Sequence, residues 1–333
     1  MEYRSLGRTG IQVSVLALGS WLFGSRTGTE EAYTLVARAL DRGINFIDTA
    51  NNYNAGQSET ILGEALKRSG GRERIILATK VHRAVGDDLN DWGNSRRHII
   101  MQCEASLRRL QTDYLDLYQI HRPQSTIPID ETLRALDDLI RSGKVRYIGT
   151  STFAAWQVVE SLWVSKELGL YRVISEQPPY NILDRRVERE LLPMARTYGL
   201  AVVPWSPLAG GILTGKYRLN TPPPLDSRLA SADTRLARRV TPEALDVVEK
   251  LRPLAAAHNC TVLQFALAWI TAQPGVTSAL IGPRTVAQLE ENLASLPVTL
   301  TEADLAGVDR IVPPGQMIVP YYDADFGPHQ FRW

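Results

Sequence analysis

Cysteine is scarce in this sequence of 333 residues, and charge of one sign is almost absent. The two cysteines, Cys103 and Cys260, lack CxxC spacing, so they predict neither a disulfide framework nor a zinc site. The 37 Lys and Arg nearly cancel the 36 Asp and Glu, which leaves a formal net charge of +1. We therefore expect no electrostatic field that would hold a nucleic acid or an acidic membrane. A small-molecule partner is favoured.

Long uncharged apolar runs are missing as well. The first ten residues, MEYRSLGRTG, contain no stretch of the length that a signal peptide needs, and no later stretch is expected to span a bilayer. These absences predict a cytoplasmic protein without a membrane partner and leave its oligomeric state open. A hydrophobic content of 44% allows a large core, either in two ordinary domains or in one large α/β barrel.

Short runs rich in Val, Ile and Leu are present, and they alternate with longer segments of helical period. Runs that are apolar throughout indicate strands buried on both faces, as in a parallel sheet covered by helices. The intervening segments carry apolar residues near i, i+3, i+4 and i+7, and several end in Gly, which is typical of crossover helices. The eight runs are 15–20, 45–50, 75–81, 115–121, 145–151, 173–179, 201–207 and 276–282.

Eight such units in this length predict a single (β/α)8 TIM barrel over residues 1–333. A doubly wound sheet in two domains is the competing fold, but no GxGxxG follows an early strand and no Pro/Gly-rich linker interrupts the first seven runs. Residues 1–14 are expected to form a β-hairpin at the barrel floor. The irregular stretch 217–239 is predicted to be a long active-face loop. The aromatic tail 313–333 either closes over the site or packs outside the barrel, and packing is favoured.

Candidate catalytic residues lie where the predicted strands end, because the carboxyl ends of barrel strands meet on one face. The second strand ends at Asp48 with Tyr53 in the loop beyond, the third at Lys80 and the fourth at His121. Asp48, Tyr53 and His121 also have ordinary interpretations, as a loop cap, a surface aromatic and a rim hydrogen bond. Lys80 is harder to explain structurally, because an ammonium at the end of a buried strand needs a partner.

Together these four residue types fit one reaction. A tyrosine with a pKa near ~10 donates a proton poorly at neutral pH, and a neighbouring Lys80 is expected to bring that pKa closer to the working range. Asp48 would hold Lys80 charged, and His121 would orient a substrate oxygen toward Tyr53. Such a site protonates an oxygen that becomes negative, as a carbonyl oxygen does when hydride reaches its carbon.

The set Asp48, Tyr53, Lys80 and His121, within FIDTANNY, LATKV and LYQIH, resembles the catalytic tetrad of the aldo-keto reductases, which are (β/α)8 enzymes that use nicotinamide cofactors. The resemblance extends over nearly the whole chain, through LGRTGIQVSVLALG, GKVRYIGTS, EQPPYN, PWSPLAGGILTGKY and QLEEN, and it is similar to the bacterial branch related to potassium-channel β subunits. It implies NADPH-dependent reduction of aldehydes or ketones with Tyr53 as proton donor. The alternative is a cofactor-binding, redox-sensing regulatory subunit with slow or negligible turnover.

The resemblance also implies a cofactor site. Ser151 and Gln177 would hold the nicotinamide carboxamide, and Trp205 would stack on the nicotinamide ring. The other implied contacts are Thr152, Ser206, Pro207, Leu208, Gly210, Gly211, Lys216, Gly282, Arg284, Gln288, Glu291 and Asn292.

The resemblance implies that two further stretches bind the rest of the cofactor. The run 206–216 would wrap the pyrophosphate with backbone N–H groups, and 282–292 would hold the adenosine end. Arg284 is the obvious cation for a 2′-phosphate, so NADPH is preferred and NADH stays possible. Asn54 replaces a glycine often found after the tyrosine, which suits a left-handed backbone.

The substrate pocket is expected to be lined by Trp21, Trp92 and Tyr180 around Tyr53, which suits aldehydes and ketones. Packing at the barrel rim is an equal alternative for Trp92 and Tyr180. A metal-dependent hydrolase or isomerase with Asp48, Glu176 and His121 as ligands is a further alternative. Against it, Lys80 would place a cation among those ligands, and the chain has no HxH motif.

Overall fold

An eight-stranded parallel barrel forms the centre of the computed structural model, which describes residues 1–231 and 233–321. The strands follow one another in chain order, and the last pairs with the first. They are β3 (Leu16–Gly19), β4 (Phe46–Asp48), β5 (Ile76–Val81), β6 (Leu115–Ile120), β7 (Val145–Ser151), β8 (Val173–Gln177), β9 (Ala201–Val202) and β10 (Ala279–Ile281). Val202 and Val276 form a parallel bridge where β9 meets β10, and the Leu280 amide donates to the Pro204 carbonyl at 2.9 Å. Each strand lies within a predicted run, so the fold class is confirmed.

A small antiparallel hairpin precedes the barrel, as predicted. It pairs β1 (Tyr3–Ser5) with β2 (Gln12–Ser14). Leu6 and Val13 of this segment are fully buried and pack with residues inside the barrel, such as Phe46. The hairpin therefore closes the floor of the barrel with apolar side chains.

Helices cover the outside of the barrel and bury one face each against it. Gly70 and Gly199 end two of them in left-handed conformation, at φ 58° and 67°. The helices are α1 (Thr29–Asp41), α2 (Gln57–Ser69), α3 (Arg96–Leu110), α4 (Ile129–Arg141), α5 (Ala155–Leu168), α6 (Leu191–Tyr198), α7 (Thr234–Ala237), α8 (Pro242–Ala257), α9 (Val262–Ala272), α10 (Val286–Leu293) and α11 (Glu302–Ile311).

The long loop after β9 lies on the face formed by the carboxyl ends of the strands. Arg26, in the loop after β3, donates to the carbonyl of Asp226 at 3.3 Å. The described part of the C-terminal tail packs on the barrel, since the Ile318 amide donates to the Leu183 carbonyl at 2.8 Å and Tyr321 is buried. Most of the aromatic tail, 322–333, lies outside the described residues, so packing outside the barrel stays a prediction for it. That all 333 residues form one domain stays a prediction.

Among the described residues, no single helix is long and apolar enough to cross a membrane. The bent pair α8 and α9, at 85° to each other, reaches the required length and composition only when taken together.

Candidate active site

A buried ion pair lies at the carboxyl ends of two neighbouring strands. Asp48 ends β4 and Lys80 is the penultimate residue of β5. The two residues are 2% and 0% exposed. The Lys80 ammonium contacts the Asp48 carboxylate and donates to the Thr49 carbonyl at 2.9 Å. The strands are in parallel register, so the fold itself brings these side chains together. The prediction that Lys80 needs a partner is met by Asp48.

Tyr53 and His121 complete the cluster. The Lys80 Nζ lies 3.3 Å from the Tyr53 hydroxyl. The rings of Tyr53 and His121 meet edge to face with centroids 5.7 Å apart. The His121 amide donates to the Val81 carbonyl at 2.9 Å, which places the histidine directly beyond β6. The structure therefore brings together all four residues that the sequence singles out.

Burial and charge set the protonation states of the cluster. Burial raises the pKa of Tyr53, and although Lys80 opposes this, the phenol pKa stays above its ordinary value. The expected net lowering of that pKa is therefore wrong, because desolvation and the Asp48 charge outweigh the ammonium. Burial lowers the pKa of Lys80, but the Asp48 and Tyr53 oxygens outweigh burial and raise it.

His121 is neutral at physiological pH. Burial, followed by the charges of Lys80 and Arg122, holds its pKa well below the ordinary value. The ring nitrogen Nδ1 is buried and has no hydrogen-bond partner among the described residues. A neutral imidazole can donate one hydrogen bond, which suits an incoming carbonyl oxygen.

Two buried amides hold the second oxygen of Asp48. Gln119 of β6 and Gln177 of β8 donate to Asp48 Oδ2 at 3.0 and 2.9 Å. Gln177 is the residue implied for the nicotinamide carboxamide, so it connects that position to the tetrad. The sequence prediction missed Gln119, and its only signal is a polar residue within a buried strand that also contains Asp116.

The segment that carries Tyr53 has an unusual backbone. Asn54, Ala55 and Gly56 follow one another at φ 49°, 52° and 88°. The Asn54 side chain donates to the carbonyls of Trp21 and Phe23 at 3.2 and 2.6 Å, which confirms the left-handed asparagine. Left-handed backbone at a residue other than glycine costs on the order of 1–3 kcal/mol, so surrounding contacts must hold this segment.

A second ion pair, between Glu59 and Arg109, stabilises the segment that carries Tyr53. Glu59, in the first turn of α2, is fully buried and accepts from Arg109 at 2.7 Å and from the Thr79 hydroxyl at 2.5 Å. Arg109 also packs on Gly56, where a Cβ would come within 3.0 Å of the arginine Cδ. Because Thr79 precedes Lys80 in β5, this pair connects the Tyr53 segment to the strand that carries Lys80. The sequence prediction missed Glu59 and Arg109, since residues 50 positions apart share no local pattern.

The residues implied for the nicotinamide end lie next to the tetrad. The Ser151 hydroxyl donates to the Gln177 carbonyl at 2.9 Å, and the Thr152 amide donates to the same carbonyl at 3.2 Å. Thr152 is left-handed at φ 60°. Glu176 underlies this turn and accepts from the Phe153 amide at 3.1 Å, and burial raises its pKa to about 8.

The run after β9 forms a concave backbone cradle. Ser206 and Ala209 are left-handed at φ 55° and 51°, and Gly210 and Gly211 follow at 65° and 104°. Trp205, at the start of the run, is partly exposed, with the Arg122 guanidinium carbon 6.0 Å from its ring centroid. Pro207 is buried, Leu208 is partly exposed, and Lys216 ends the run.

The adenosine segment begins α10. The Arg284 amide donates to the Gln288 side chain at 2.8 Å, and the Arg284 guanidinium lies 3.4 Å from Asp226. Gly282 is exposed and an added Cβ would meet nothing within 4 Å. Further along the helix, the implied contact Glu291 is exposed and Asn292 is buried.

More cations gather here than the sequence prediction named. Burial lowers the pKa of Lys216, and the charges of Arg284, Arg26 and Arg228 add to this. Arg26 and Arg228 come from two separate loops, which is why they share no motif. Their grouping with Arg284 and Lys216 makes this end of the face suitable for phosphate.

Comparison with known proteins assigns the family. A family model described as the aldo/keto reductase family matches residues 15–313. The chain belongs to the aldo/keto reductase family. The resemblance that the tetrad and the cofactor motifs carry is therefore confirmed.

Relatives of the chain include an enzyme-named protein and channel subunits. The uncharacterized oxidoreductase YrpG of Bacillus subtilis is 40% identical over 330 residues, 94% of this chain and 96% of the relative. A probable voltage-gated potassium channel subunit beta of Oryza sativa subsp. japonica is 40% identical over 303 residues, 90% and 92% of the two chains. A protein of the same description from Arabidopsis thaliana is 38% identical over 319 residues, 94% and 97%. This aldo/keto reductase is thus an oxidoreductase.

The residues present fit the nicotinamide nucleotide that aldo/keto reductases use. The left-handed residues Ser206, Ala209, Gly210 and Gly211 turn the backbone tightly, and the two glycines permit the close approach of a ligand. His121, with its buried Nδ1, and the partly exposed Trp205 lie at the tetrad end of the face. The group of Lys216 and the three arginines lies at the opposite end of the same face.

The predicted substrate walls are only partly supported. Trp21 and Trp92 are each 49% exposed, Trp92 meets His82 edge to face, and Arg228 lies over Trp21 at 4.9 Å. The prediction for Tyr180 is wrong: it is fully buried, packs on Trp269 and donates to Glu188 at 2.5 Å.

The metal alternative finds no support in the geometry. Within residues 1–231 and 233–321, no three His, Cys, Asp or Glu side chains are grouped to hold a metal. Asp48 faces Lys80, and Glu176 faces the Phe153 amide.

Proposed function

We propose that this aldo/keto reductase reduces aldehydes or ketones to alcohols with NADPH, with Tyr53 as the proton donor. The observation that carries the proposal is the Tyr53 hydroxyl, 3.3 Å from a buried Lys80 that Asp48 holds, with His121 beside the phenol ring. When bound, the reduced nicotinamide supplies the hydride.

The four side chains divide the work on the substrate oxygen. Tyr53 and the neutral His121 each donate a hydrogen bond to the carbonyl oxygen and so polarise it. As negative charge develops on that oxygen, Tyr53 transfers its proton, and the phenolate left behind lies against the Lys80 ammonium. Because burial raises the pKa of Tyr53, the phenol stays protonated until the substrate oxygen becomes basic. Asp48 keeps Lys80 charged throughout.

A group of arginines at the end implied for adenosine supports NADPH over NADH. Arg284, Arg26 and Arg228 lie at the adenosine end, where guanidinium groups can pair with a phosphate. The cytoplasmic location and the small-molecule carbonyl substrate belong to the same proposal.

A carbonyl panel tests the proposal. NADPH and NADH oxidation are followed by absorbance with aromatic, aliphatic and sugar aldehydes, for wild type, Tyr53→Phe and a matched control, Tyr33→Phe, on α1. We expect Tyr53→Phe to lose reduction by about 10²-fold or more while its Kd for NADPH changes little. Turnover retained in Tyr53→Phe would contradict the proton-donor role.

The channel-subunit relatives favour a second candidate, a cofactor-binding redox sensor with slow or negligible turnover. Their similarity covers at least 90% of this chain, so it is not confined to one segment. Tight NADPH binding with negligible turnover on every carbonyl of the panel would favour the sensor. Useful turnover on any aldehyde class would favour the reductase.

A further inference from the structure

A groove of about 530 Å³ lies on the barrel floor, at the opposite end from the tetrad. Its volume is within the range of small-ligand pockets. Three of the segments that border it are the hairpin turn, the start of β7 and the loop before β8. Each contributes one arginine, and these are Arg8, Arg146 and Arg172.

No carboxylate compensates these three charges. The groove has no Asp or Glu in its lining, and within the described residues none of the three guanidiniums lies within 4.0 Å of a carboxylate. Arg172 donates to the Tyr198 carbonyl at 2.9 Å, and Arg146 donates to the Gly143 carbonyl at 2.8 Å. These neutral acceptors orient two of the three guanidiniums, and Arg146 also lies over the Tyr114 ring at 4.4 Å, but none of these contacts supplies a negative charge.

The carboxylate beside the groove is already engaged. Asp137 accepts from the Tyr171 amide at 2.9 Å and forms an ion pair with Arg141 at 2.5 Å. It therefore does not serve the three arginines. Because the whole chain has a net charge of only +1, the excess at this end is a local segregation of charge.

The fold keeps two of the like charges close together. The stem of Arg8 lies across Gly199, where an added Cβ would come within 2.5 Å of the arginine Cγ. Burial, and then the charge of Arg8, lowers the pKa of Arg172. Such an arrangement is unfavourable by itself and becomes favourable when an anion binds between the guanidiniums.

The remaining walls are apolar and aromatic. Tyr147 and Tyr171 line the groove with Ile140 and Ile148, and Tyr171 is 53% exposed. Guanidinium groups match phosphate geometry, and tyrosine rings offer flat surfaces for stacking. We propose that this groove binds a phosphate ester that carries a planar ring, such as a nucleotide, at a site separate from the catalytic face.

Calorimetric titration of the full-length protein with ADP tests this site. One equivalent of NADP⁺ per chain is present throughout, so that the cofactor site on the catalytic face is occupied. We expect one further ADP per chain, and weaker binding of inorganic phosphate and of adenosine, since each offers half of the chemistry. No ADP binding at millimolar concentration, or phosphate binding as tightly as ADP, would overturn the proposal.

Variants locate the site. Arg8→Gln and Arg146→Gln should each weaken ADP binding about tenfold or more, because each removes a charged hydrogen bond. Arg74→Gln is the matched control: Arg74 is exposed and precedes β5 on another side of the floor. Unchanged thermal unfolding and unchanged NADP⁺ affinity show that the variants are folded. ADP affinity that is equal in all variants, or lost equally in Arg74→Gln, would contradict the assignment.

Discussion

The tetrad and the adenosine end of the proposed cofactor site share one face of the barrel, yet they hold their charges differently. Lys80 and Asp48 are almost completely buried on neighbouring strands, whereas Arg284 pairs at 3.4 Å with Asp226, whose side chain is 81% exposed. A buried pair keeps one geometry, because losing a partner is costly, while an exposed pair exchanges readily with other ions. In the proposed function, proton transfer would therefore use fixed charges and phosphate recognition exchangeable ones.

Removing the fixed cation should have the largest effect. Lys80→Met leaves the Asp48 carboxylate buried without its ammonium, and the loss of stability should be about 3–5 kcal/mol. Reduction should also fall by about 10²-fold or more, because the Tyr53 phenolate loses its counter-ion. Urea unfolding and kcat measure the two losses. The exposed Lys67→Met is the control, and a Lys80→Met protein as active as that control would break the comparison.

Disrupting the ion pair of Glu59 and Arg109 should have the second-largest effect. Glu59→Gln removes the negative charge that holds Arg109 against Gly56. Tyr53 should then be less well positioned, and kcat should fall about tenfold. The Kd for NADPH should not change, because neither residue lies among the proposed cofactor contacts. Steady-state kinetics and a cofactor titration separate the two quantities. Arg109→Lys should retain only part of the wild-type activity, since lysine lacks the planar guanidinium fork. A rise in the Kd for NADPH with kcat unchanged would refute a positioning role.

Substitution of Arg284, in the exposed ion pair, should affect cofactor binding but not the chemical step. Arg284→Ala should raise the Kd for NADPH about tenfold and leave the Kd for NADH nearly unchanged, because only NADPH carries the 2′-phosphate. Fluorescence titration with both cofactors measures this. Equal weakening of NADPH and NADH would remove Arg284 from the phosphate and weaken the proposed preference.

The smallest effect concerns pH. The pKa of Tyr53 is raised, so the acid form persists at neutral pH and is lost only as pH rises through that raised value. The pKa of His121 is far below its ordinary value, so the imidazole stays neutral as pH falls to about 6. The rate of reduction should therefore show no titration of Tyr53 or His121 between about pH 6 and 9. A titration midpoint near 6.5 that disappears in His121→Gln would show that the histidine is not neutral.

Much of the fold and the tetrad could be predicted from the sequence because their signals are local. Each strand is a short apolar run, and Lys80 is conspicuous because it interrupts such a run near its end. The hydrogen bonds of Gln119 and Gln177 to Asp48 span 71 and 129 positions, so no local pattern reveals them.

Two errors have physical causes. Tyr180 follows a strand as Trp21 does, but its ring packs against Trp269 of α9 and its hydroxyl donates to Glu188. The pKa of Tyr53 depends on the balance between burial and two opposite charges, and spacing along the chain conveys only the presence of those charges.

The central claim, that chemistry and phosphate recognition reside at separate ends of one face, is tested most directly by measuring two quantities on two variants. These quantities are the single-turnover rate of aldehyde reduction at saturating NADPH and the Kd for NADPH, in Tyr53→Phe and in Arg284→Ala. We predict that Tyr53→Phe loses the rate by about 10²-fold or more and keeps the Kd, while Arg284→Ala loses affinity and keeps the rate. A Tyr53→Phe protein that keeps the wild-type rate, or an Arg284→Ala protein that loses the rate at saturation, would contradict the account.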